Sequence, residues 1–235
     1  MGSKIKAVST VIAGLFALGI SGGAQASALF DSSISATLKI LNTNDPFASI
    51  SSSSTPFLLQ QQTIGSAVAN ASGSATLLPN GITLDAAANG IAFNGTAIAG
   101  STGIGTVDIS SNTFGLFVTY ELDFAYTLMA GIDNPLFDSA STFVHVLLLD
   151  AGDPGNPIFD SGNISLTAFG HDDLIGPIDV QITDVYAFDP LSQGGAFLLQ
   201  VDVFGTATGV PEPATLALFG LGLLGAASVR RRRNR

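Results

Sequence analysis

The sequence predicts an all-β domain, an antiparallel β-sandwich of jelly-roll type, between an N-terminal signal helix and a C-terminal transmembrane helix. Two observations predict the β domain. Between its ends the chain is rich in β-branched residues, Gly and Ser, and it shows no long pattern of helical period. Apolar and polar residues alternate in about ten short segments separated by Gly, Pro, Asn and Asp. No segment repeats at a fixed period, which argues against a propeller or a β-helix.

The N-terminal segment has the three parts of a secretory signal peptide. Lys4 and Lys6 precede an apolar stretch at residues 7–20, and the small residues Ala24 and Ala26 follow. Small side chains at these two positions are what signal peptidase requires. We predict that residues 1–26 are a signal peptide read by the Sec machinery, with cleavage after Ala26 or, as the alternative, two residues later.

The first half of the body, which spans residues 27–209, is predicted to contain short strands. A strand at 33–41 places Ile34, Ala36, Leu38 and Ile40 on one face, and a polar insert at 42–62 forms a loop around a short segment at 57–59. Further strands, joined by tight turns, are predicted at 63–70, 75–78, 81–85, 90–99 and 103–110. Residues 78–81, Leu-Pro-Asn-Gly, favour a hairpin, because Asn-Gly tolerates positive φ.

The second half of the body contains the clearest strand. Every second residue is apolar from Phe114 to Leu128, and period two held that long predicts a half-buried, central strand, bent or bulged along its length. The opposite face includes Glu121 and Asp123. Later strands are predicted at 142–150, 163–169, 178–188 and 196–206, and in the last of these Phe197, Leu199, Val201 and Val203 face inward.

The body is strongly acidic, whereas most of the basic residues lie near the two termini. The body holds 17 of the 18 acidic residues and one of the eight basic residues, Lys39, so its net charge is −16. Nothing in it can neutralise phosphates, which excludes nucleic acid as a partner. Solubility alone explains such acidity, and divalent cations, cationic polymers and neutral glycans are the partners it leaves open. Cysteine is absent, so neither a disulfide nor thiol chemistry is available.

Catalytic patterns are missing from the sequence. The body offers His145, inside a predicted strand where a hydrogen-bonded structural role is the default, and His171, in a predicted loop. No Gly-x-Ser-x-Gly, His-Glu-x-x-His or phosphate-binding glycine loop occurs. Glu121 and Asp123 would form a carboxylate pair only if a second acid faced them across a cleft. We therefore expect a protein that is not an enzyme, with a secreted hydrolase as the less favoured alternative.

The Asp-rich stretch at residues 150–163 is the best candidate binding site. Its Gly and Pro residues could turn several oxygens inward, and Ca²⁺ prefers carboxylate and carbonyl ligands. The same residue types are also what ordinary loops contain. We expect no cofactor other than a structural Ca²⁺ ion here, held by Asp150, Asp153, Asn156 and Asp160.

Glycan binding has no positive signal in the sequence. Trp, the usual platform for sugars, is absent. Tyr120 and Tyr126 share the apolar face of their strand and are predicted to be core, whereas Tyr186 is predicted to be more exposed. A carbohydrate-binding secreted module therefore stays an alternative that would depend on polar loops.

The C-terminal 26 residues form three elements in a fixed order. A stiff turn, Val210-Pro211-Glu212-Pro213, precedes an uncharged apolar run at 214–229 and the basic residues of 230–235, of which Arg230, Arg231, Arg232 and Arg233 are consecutive. At about 1.5 Å per residue a helix over 214–229 is about 24 Å long, which is short of the hydrocarbon core of about 30 Å, and the arginines would extend to the interface. The arginines would remain on the cytoplasmic side and the Pro-Glu-Pro turn outside. An ordinary permanent anchor would explain the last two elements but not the turn.

This tail resembles the PEP-CTERM sorting signal of exported bacterial proteins, which exosortase-type membrane proteases are thought to recognise and remove. The same tail has also been described as the C-terminal domain of ice-binding proteins, although the body has only scattered threonines. The resemblance implies transient tethering on the outer side of the inner membrane, then delivery to the cell surface or the extracellular matrix. It also implies a structural or adhesive role linked to exopolysaccharide or biofilm, with exopolysaccharide as a partner. It covers the tail and leaves the body unassigned.

Overall fold

The computed structural model describes residues 27–133, 138–168 and 173–210, and within these ranges the protein is all-β with no helix. Ten strands form one curled antiparallel sheet: β1 (Ala28–Thr43), β2 (Ser49–Ser54), β3 (Leu58–Leu78), β4 (Gly81–Ser110), β5 (Phe117–Ile132), β6 (Ser139–Asp150), β7 (Asp153–Asp160), β8 (Ile164–Thr167), β9 (Asp173–Ala187) and β10 (Gly194–Gly209). The prediction of an all-β antiparallel fold is confirmed. The predicted signal helix and transmembrane helix lie outside the described residues.

Strand β5 shows how strict alternation produces an interior strand. Val118, Tyr120, Leu122, Phe124, Tyr126 and Leu128 are all buried, and the residues between them are half-buried. β5 pairs with β1 on one side and with β9 on the other, with a register shift against β9 near Tyr126. The predicted face and the irregularity are confirmed, and β5 is an interior strand, although it lies beside the end strand β9 and not at the centre of the sheet. Phe114 is the exception, since it precedes the strand and is exposed.

Strands β3 and β4 form one long hairpin, which corrects the prediction of five short strands. Its turn, Pro79-Asn80, lies where it was predicted, and Leu78 pairs with Gly81. Positive φ is not used there, because among the described residues only glycines adopt it and Gly81 is not one of them. The Asn80 side chain instead donates from Nδ2 to the Ile40 carbonyl oxygen at 2.9 Å, which fastens the turn to β1.

Two paired glycines bend both strands of the long hairpin at the same position along its length. Gly65 of β3 pairs directly with Gly95 of β4, and both have positive φ, at 70° and 153°. A Cβ on Gly95 would collide with the Ile64 carbonyl oxygen, so only glycine fits this close approach of two backbones. A register shift between Ser66 and Ala67 adds a bulge beside it. Both strands therefore change direction here without ending.

The bend in β4 lets one sheet fold back on itself. β1 pairs with residues 81–92 of β4, and β10 pairs with residues 95–110 along the same edge, while β3 and β2 occupy the opposite edge. β1 and β5 then pack against β10 and β6, to which they are not hydrogen-bonded as neighbours. Instead of the two separate sheets of a jelly roll, the protein has two half-sheets that share the β3–β4 hairpin.

The core fills the space between these half-sheets. Its largest fully buried side chains are Tyr120, Phe30, Phe197, Leu38, Ile82 and Leu84. Phe197 lies in an aromatic cluster, with its ring centroid 4.9 Å from that of Phe188 and 5.6 Å from that of Tyr120. The predicted inward faces of β1 and β10 are confirmed, because Ile34, Ala36, Leu38 and Ile40 and likewise Phe197, Leu199, Val201 and Val203 are all buried.

Other boundaries differ from prediction at the edges of the sheet. The polar insert at 42–62 was predicted as a loop, but its serines form β2, and its last residues begin β3. The Asp-rich stretch at 150–163, also predicted as a loop, contains β7. Edge strands bury few side chains, so their polar sequences give no period-two signal.

Candidate functional site

The Asp-rich stretch forms a hairpin between β6 and β7. Asp150 and Asp153 lie opposite each other across the turn Ala151-Gly152, whereas Asp160 pairs with Leu147 at the far end of β7. At about 3.3 Å per residue, three residues of β6 separate these positions by about 10 Å. The four predicted calcium ligands are therefore spread along the hairpin.

Asp150 is buried, and both of its carboxylate oxygens accept hydrogen bonds from other groups of the chain. Its Oδ1 accepts a hydrogen bond from the Gly152 backbone N–H at 2.8 Å, and its Oδ2 accepts one from the Tyr186 hydroxyl at 3.0 Å. Burial, together with this carboxylate, raises the pKa of Tyr186 to about 12. Tyr186 is more exposed than Tyr120 and Tyr126, as predicted, but it is still half-buried, and its ring packs edge-on against Phe188 at 5.0 Å.

The other predicted ligands also have partners within the chain. Asn156 donates from Nδ2 to Asp153 Oδ2 at 2.8 Å, and Asp160 Oδ1 accepts from the Gly162 N–H at 2.7 Å. That backbone donor and the nearby His145 hold the pKa of Asp160 below its usual range. Within the ranges that the structure describes, no group of three or more His, Asp or Glu side chains could hold a metal ion. The calcium site thus stays a prediction, without support from the geometry.

His145 lies between two carboxylates on the outer face of β6. Its Nε2 is 2.7 Å from Asp160 Oδ1, and its Nδ1 is 3.5 Å from Asp202 Oδ2 on β10. Gln200 donates from Nε2 to the same Asp202 oxygen at 2.8 Å. The predicted hydrogen bonding of His145 is confirmed, whereas its structural role stays a prediction. His171 lies outside the described residues.

A groove of about 440 Å³ opens beside this histidine on the outer face of the half-sheet that contains β6 and β10. Its side-chain lining combines two aromatic rings with polar groups, and includes Phe143, Phe204, His145, Asp202, Thr102 and Asn163. The Phe143 and Phe204 ring centroids are 5.7 Å apart. An aromatic surface next to hydrogen-bonding groups is the combination that small-molecule and sugar sites use.

Glu121 and Asp123 do not act as a free carboxylate pair. Glu121 Oε1 is 2.9 Å from Lys39 Nζ on β1, and its Oε2 accepts a hydrogen bond from Gln181 Nε2 at 3.1 Å on β9. Both partners come from the strands that flank β5, so the one lysine of the body already neutralises Glu121. Asp123 is half-buried one pleat further along, opposite Thr37 and Gln181.

The groove is what sequence reasoning missed. Its parts lie on four strands, β3, β4, β6 and β10, and on the connection between β7 and β8 that contains Asn163. The one available signal was that His145 and Asp202 occupy the polar positions of two strongly alternating strands. That pattern places each on an outer face but does not show that the two strands are neighbours.

The sorting tail begins where the described residues end. Val210 follows β10, and its backbone N–H donates to Asp138 Oδ1 at 3.0 Å. Pro211, Glu212, Pro213, the apolar run, the arginine cluster and, at the other end, Ala24 and Ala26 lie outside the described residues. No helix in the described ranges is long and apolar enough to cross a membrane.

Comparison with known families assigns the tail. The PEP-CTERM protein-sorting motif is found at residues 209–233, whereas no family recognises the body. No curated protein matches the chain. The motif implies export and exosortase-dependent sorting to the cell surface or the exterior, with an exosortase as the partner.

Proposed function

We propose that this protein is a non-catalytic structural or adhesive component of the cell surface or extracellular matrix, associated with exopolysaccharide. The observation that carries the proposal is the sorting motif at 209–233, which follows directly on β10 (Gly194–Gly209). A folded body joined to a sorting signal without an intervening linker suits a protein whose purpose is to be placed outside the cell.

The route proposed for it has three steps. The signal peptide, residues 1–26, takes the chain to the Sec machinery, and the apolar run at 214–229 then holds it on the outer side of the inner membrane. An exosortase reads the Pro-Glu-Pro turn and removes the tail. The sandwich-like body, with its two half-sheets, is released to the surface or matrix.

A role without catalysis is supported by how the titratable groups of the body are used. Glu121 is paired with Lys39, and Asp150 is hydrogen-bonded to Tyr186. His145, which would be the natural general base, contacts Asp160 and Asp202 through its two ring nitrogens. A base used in hydrolysis needs one nitrogen directed at a nucleophile or water.

Fractionation of the native host tests the proposal. The wild-type protein should be found in the matrix fraction and should shift to the culture medium in a host that makes no exopolysaccharide. A Pro211→Ala/Glu212→Ala/Pro213→Ala variant should stay in the membrane fraction. A matched control, Pro154→Ala/Pro157→Ala, removes two prolines from the exposed strand β7 and should behave as wild type. Equal matrix retention with and without exopolysaccharide would refute the association.

The groove beside His145 favours a second function, carbohydrate binding. Phe143 and Phe204 offer ring surface, and Asp202, Thr102 and Asn163 offer polar groups for sugar hydroxyls. A neutral glycan also avoids the repulsion that a body of charge −16 exerts on anions. Binding to a glycan array that is lost in Phe204→Ala but kept in the exposed control Phe114→Ala would support this function. No binding by the wild type would eliminate it.

A further inference from the structure

Two parallel rows of side chains line the groove beside His145. In the first row, strand pairing places Phe143 of β6 beside Phe204 of β10, and Phe204 beside Gly100 of β4. In the second row it places His145 of β6 beside Asp202 of β10. The rows are two residues apart on each strand, which separates them by about 7 Å. An apolar row therefore lies next to a polar row on one face of the sheet.

The apolar row provides aromatic ring surface. Phe143 and Phe204 are half-buried, with ring centroids 5.7 Å apart. A Cβ built on Gly100 would lie 2.9 Å from the Phe204 ring, so this ring lies over the backbone of β4 at a position that has no side chain. Aromatic surface of this kind packs against the apolar face of a ligand ring, and it also attracts a cation within about 6 Å.

The polar row contains acceptors that face each other. Asp160 Oδ1 is 2.7 Å from His145 Nε2, and a carboxylate only accepts hydrogen bonds, so Nε2 of the neutral imidazole carries the proton and Nδ1 carries the lone pair. That Nδ1 lies 3.5 Å from Asp202 Oδ2, which is longer than an ordinary hydrogen bond. Within the described residues, Gln200 is the one donor to Asp202, and it too reaches Oδ2. A donor from outside the chain would satisfy Nδ1 and Asp202 Oδ1 together.

Charge favours a donor that is also a cation. The Asp202 side chain is 19% exposed, so water hydrates its carboxylate only in part. Lys39, the one basic residue of the body, is paired with Glu121 on β5 and is not part of the groove. The whole body carries a net charge of −16. An ammonium group has three N–H donors, no acceptor and a positive charge, and it therefore matches this row better than a hydroxyl does.

We propose that the groove binds an amino sugar of a glycan that contains free amino groups. The sugar ring packs on Phe143 and Phe204, and its ammonium donates to Asp202 and to His145 Nδ1. An amine beside the ring, with a hydrogen bond of about 3 Å, extends from the apolar row to the polar row. This inference rests on the carbohydrate-binding function proposed above and names the ligand class of that groove.

Isothermal titration calorimetry of the protein purified from its own host tests the ligand class. Salt of about 0.15 M screens the general charge of the body. The probes are a tetramer of glucosamine, the same tetramer with every amine acetylated, and tetralysine. Acetylation removes the charge and keeps the sugar rings, whereas tetralysine keeps the charge and has no ring. The glucosamine tetramer should bind about tenfold more tightly than either of the other two.

Three variants test the residues. Asp202→Asn should bind the glucosamine tetramer about tenfold more weakly, and its unchanged affinity for the acetylated tetramer would show that it is folded. The matched control Asp108→Asn removes the same charge from an exposed position of β4 outside the groove, and should keep the preference for the free amine. Phe204→Ala should weaken the binding of both tetramers, because both use the ring surface.

The outcomes separate this inference from the carbohydrate function. Equal affinity of the wild type for the two tetramers would overturn the amino-sugar assignment and leave carbohydrate binding intact. Tetralysine bound as tightly as the glucosamine tetramer would overturn it too, because charge would then be sufficient without a sugar ring. The same loss of preference in Asp108→Asn as in Asp202→Asn would contradict the site. No binding of either tetramer would overturn the inference, and a glycan array without any binding would eliminate the carbohydrate function as well.

Discussion

The body and the tail of this chain specify their properties in opposite ways. The body, residues 27–209, has a fold defined by alternating side chains on ten strands, and no family recognises it. The tail, in contrast, is recognised as a protein-sorting motif from 25 consecutive residues, 209–233. Many contacts, each of small energy, stabilise the fold of the body. The sorting motif, in contrast, consists of residues that are adjacent in the chain. The difference shows that the export route and the fold can be inferred separately, the first from the tail motif and the second from the alternation of side chains in the body.

The largest expected effect concerns the locality of the tail. Residues 209–235 fused to an unrelated exported protein should be sufficient to bring that protein to the exosortase and the cell surface. The same fusion with Pro211→Ala/Glu212→Ala/Pro213→Ala should leave the passenger in the membrane fraction. If the tail directs sorting only when it is attached to its own body, the claim that the sorting information lies in the tail alone is wrong.

Within the body, the centre of the core should show the largest effect of a single substitution. Phe197→Ala removes a fully buried ring from the cluster with Tyr120 and Phe188, and should lower the free energy of unfolding by about 3–5 kcal/mol. Phe114→Ala, at an exposed ring, should change it by less than about 0.5 kcal/mol. Urea denaturation of both variants measures the difference, and equal effects would contradict the assigned core.

The bend in the long hairpin should be the next most sensitive feature. Gly95→Ala forces a side chain into positive φ and against the Ile64 carbonyl, so we expect a loss of about 1–3 kcal/mol. The control Gly155→Ala lies on the exposed strand β7, where the added carbon meets only Asp153 Oδ1 at 3.8 Å. A Gly95→Ala protein as stable as wild type would show that β4 does not bend there.

The smallest effect should depend on pH. Asp45 accepts hydrogen bonds from the Phe47 N–H at 2.9 Å and the Ser111 hydroxyl at 2.7 Å, and these bonds, the Phe47 one first, hold the pKa of Asp45 below its usual range. A carboxyl whose pKa is lowered by folding stabilises the fold above its unfolded pKa, and that contribution disappears as pH falls through the folded value. Asp45→Asn should therefore be less stable than wild type near pH 7.

The control for this prediction is Asp108→Asn, which removes the same charge from an exposed position of β4. Thermal melts from pH 7 down to about pH 3 should show the wild-type advantage over Asp45→Asn shrinking below about pH 4. A gap that is independent of pH would mean that the hydrogen bonds, and not the ionised carboxylate, account for it.

The sequence was sufficient for the strands that bury one face. β1, β5 and β10 were predicted from alternation alone, because each places apolar residues towards the core at period two. It was not sufficient for β3 and β4. The predicted breaks at 71–74, 86–89 and 100–102 contain small or polar residues such as Gly73 and Gly100. A residue of this kind inside a continuous strand cannot be distinguished from one that ends a strand without knowing how the two strands pair.

The candidate sites also differ in whether their residues are adjacent in the sequence or are brought together by strand pairing. The sorting motif was predicted from the sequence because all of its elements are adjacent in the chain. The groove was not, because Asp202 comes to lie beside His145 only through the pairing of β10 with β6. The predicted calcium ligands were adjacent in sequence, yet strand formation in β7 spreads them apart.

The intact mass of the exported protein, purified from its own host, tests the central account most directly. We predict a species that starts at Ser27 and ends between Val210 and Pro213, having lost the apolar run and the arginines. A mass that includes residues 214–235 would contradict the account, because the tail would then be a permanent anchor and not a sorting signal.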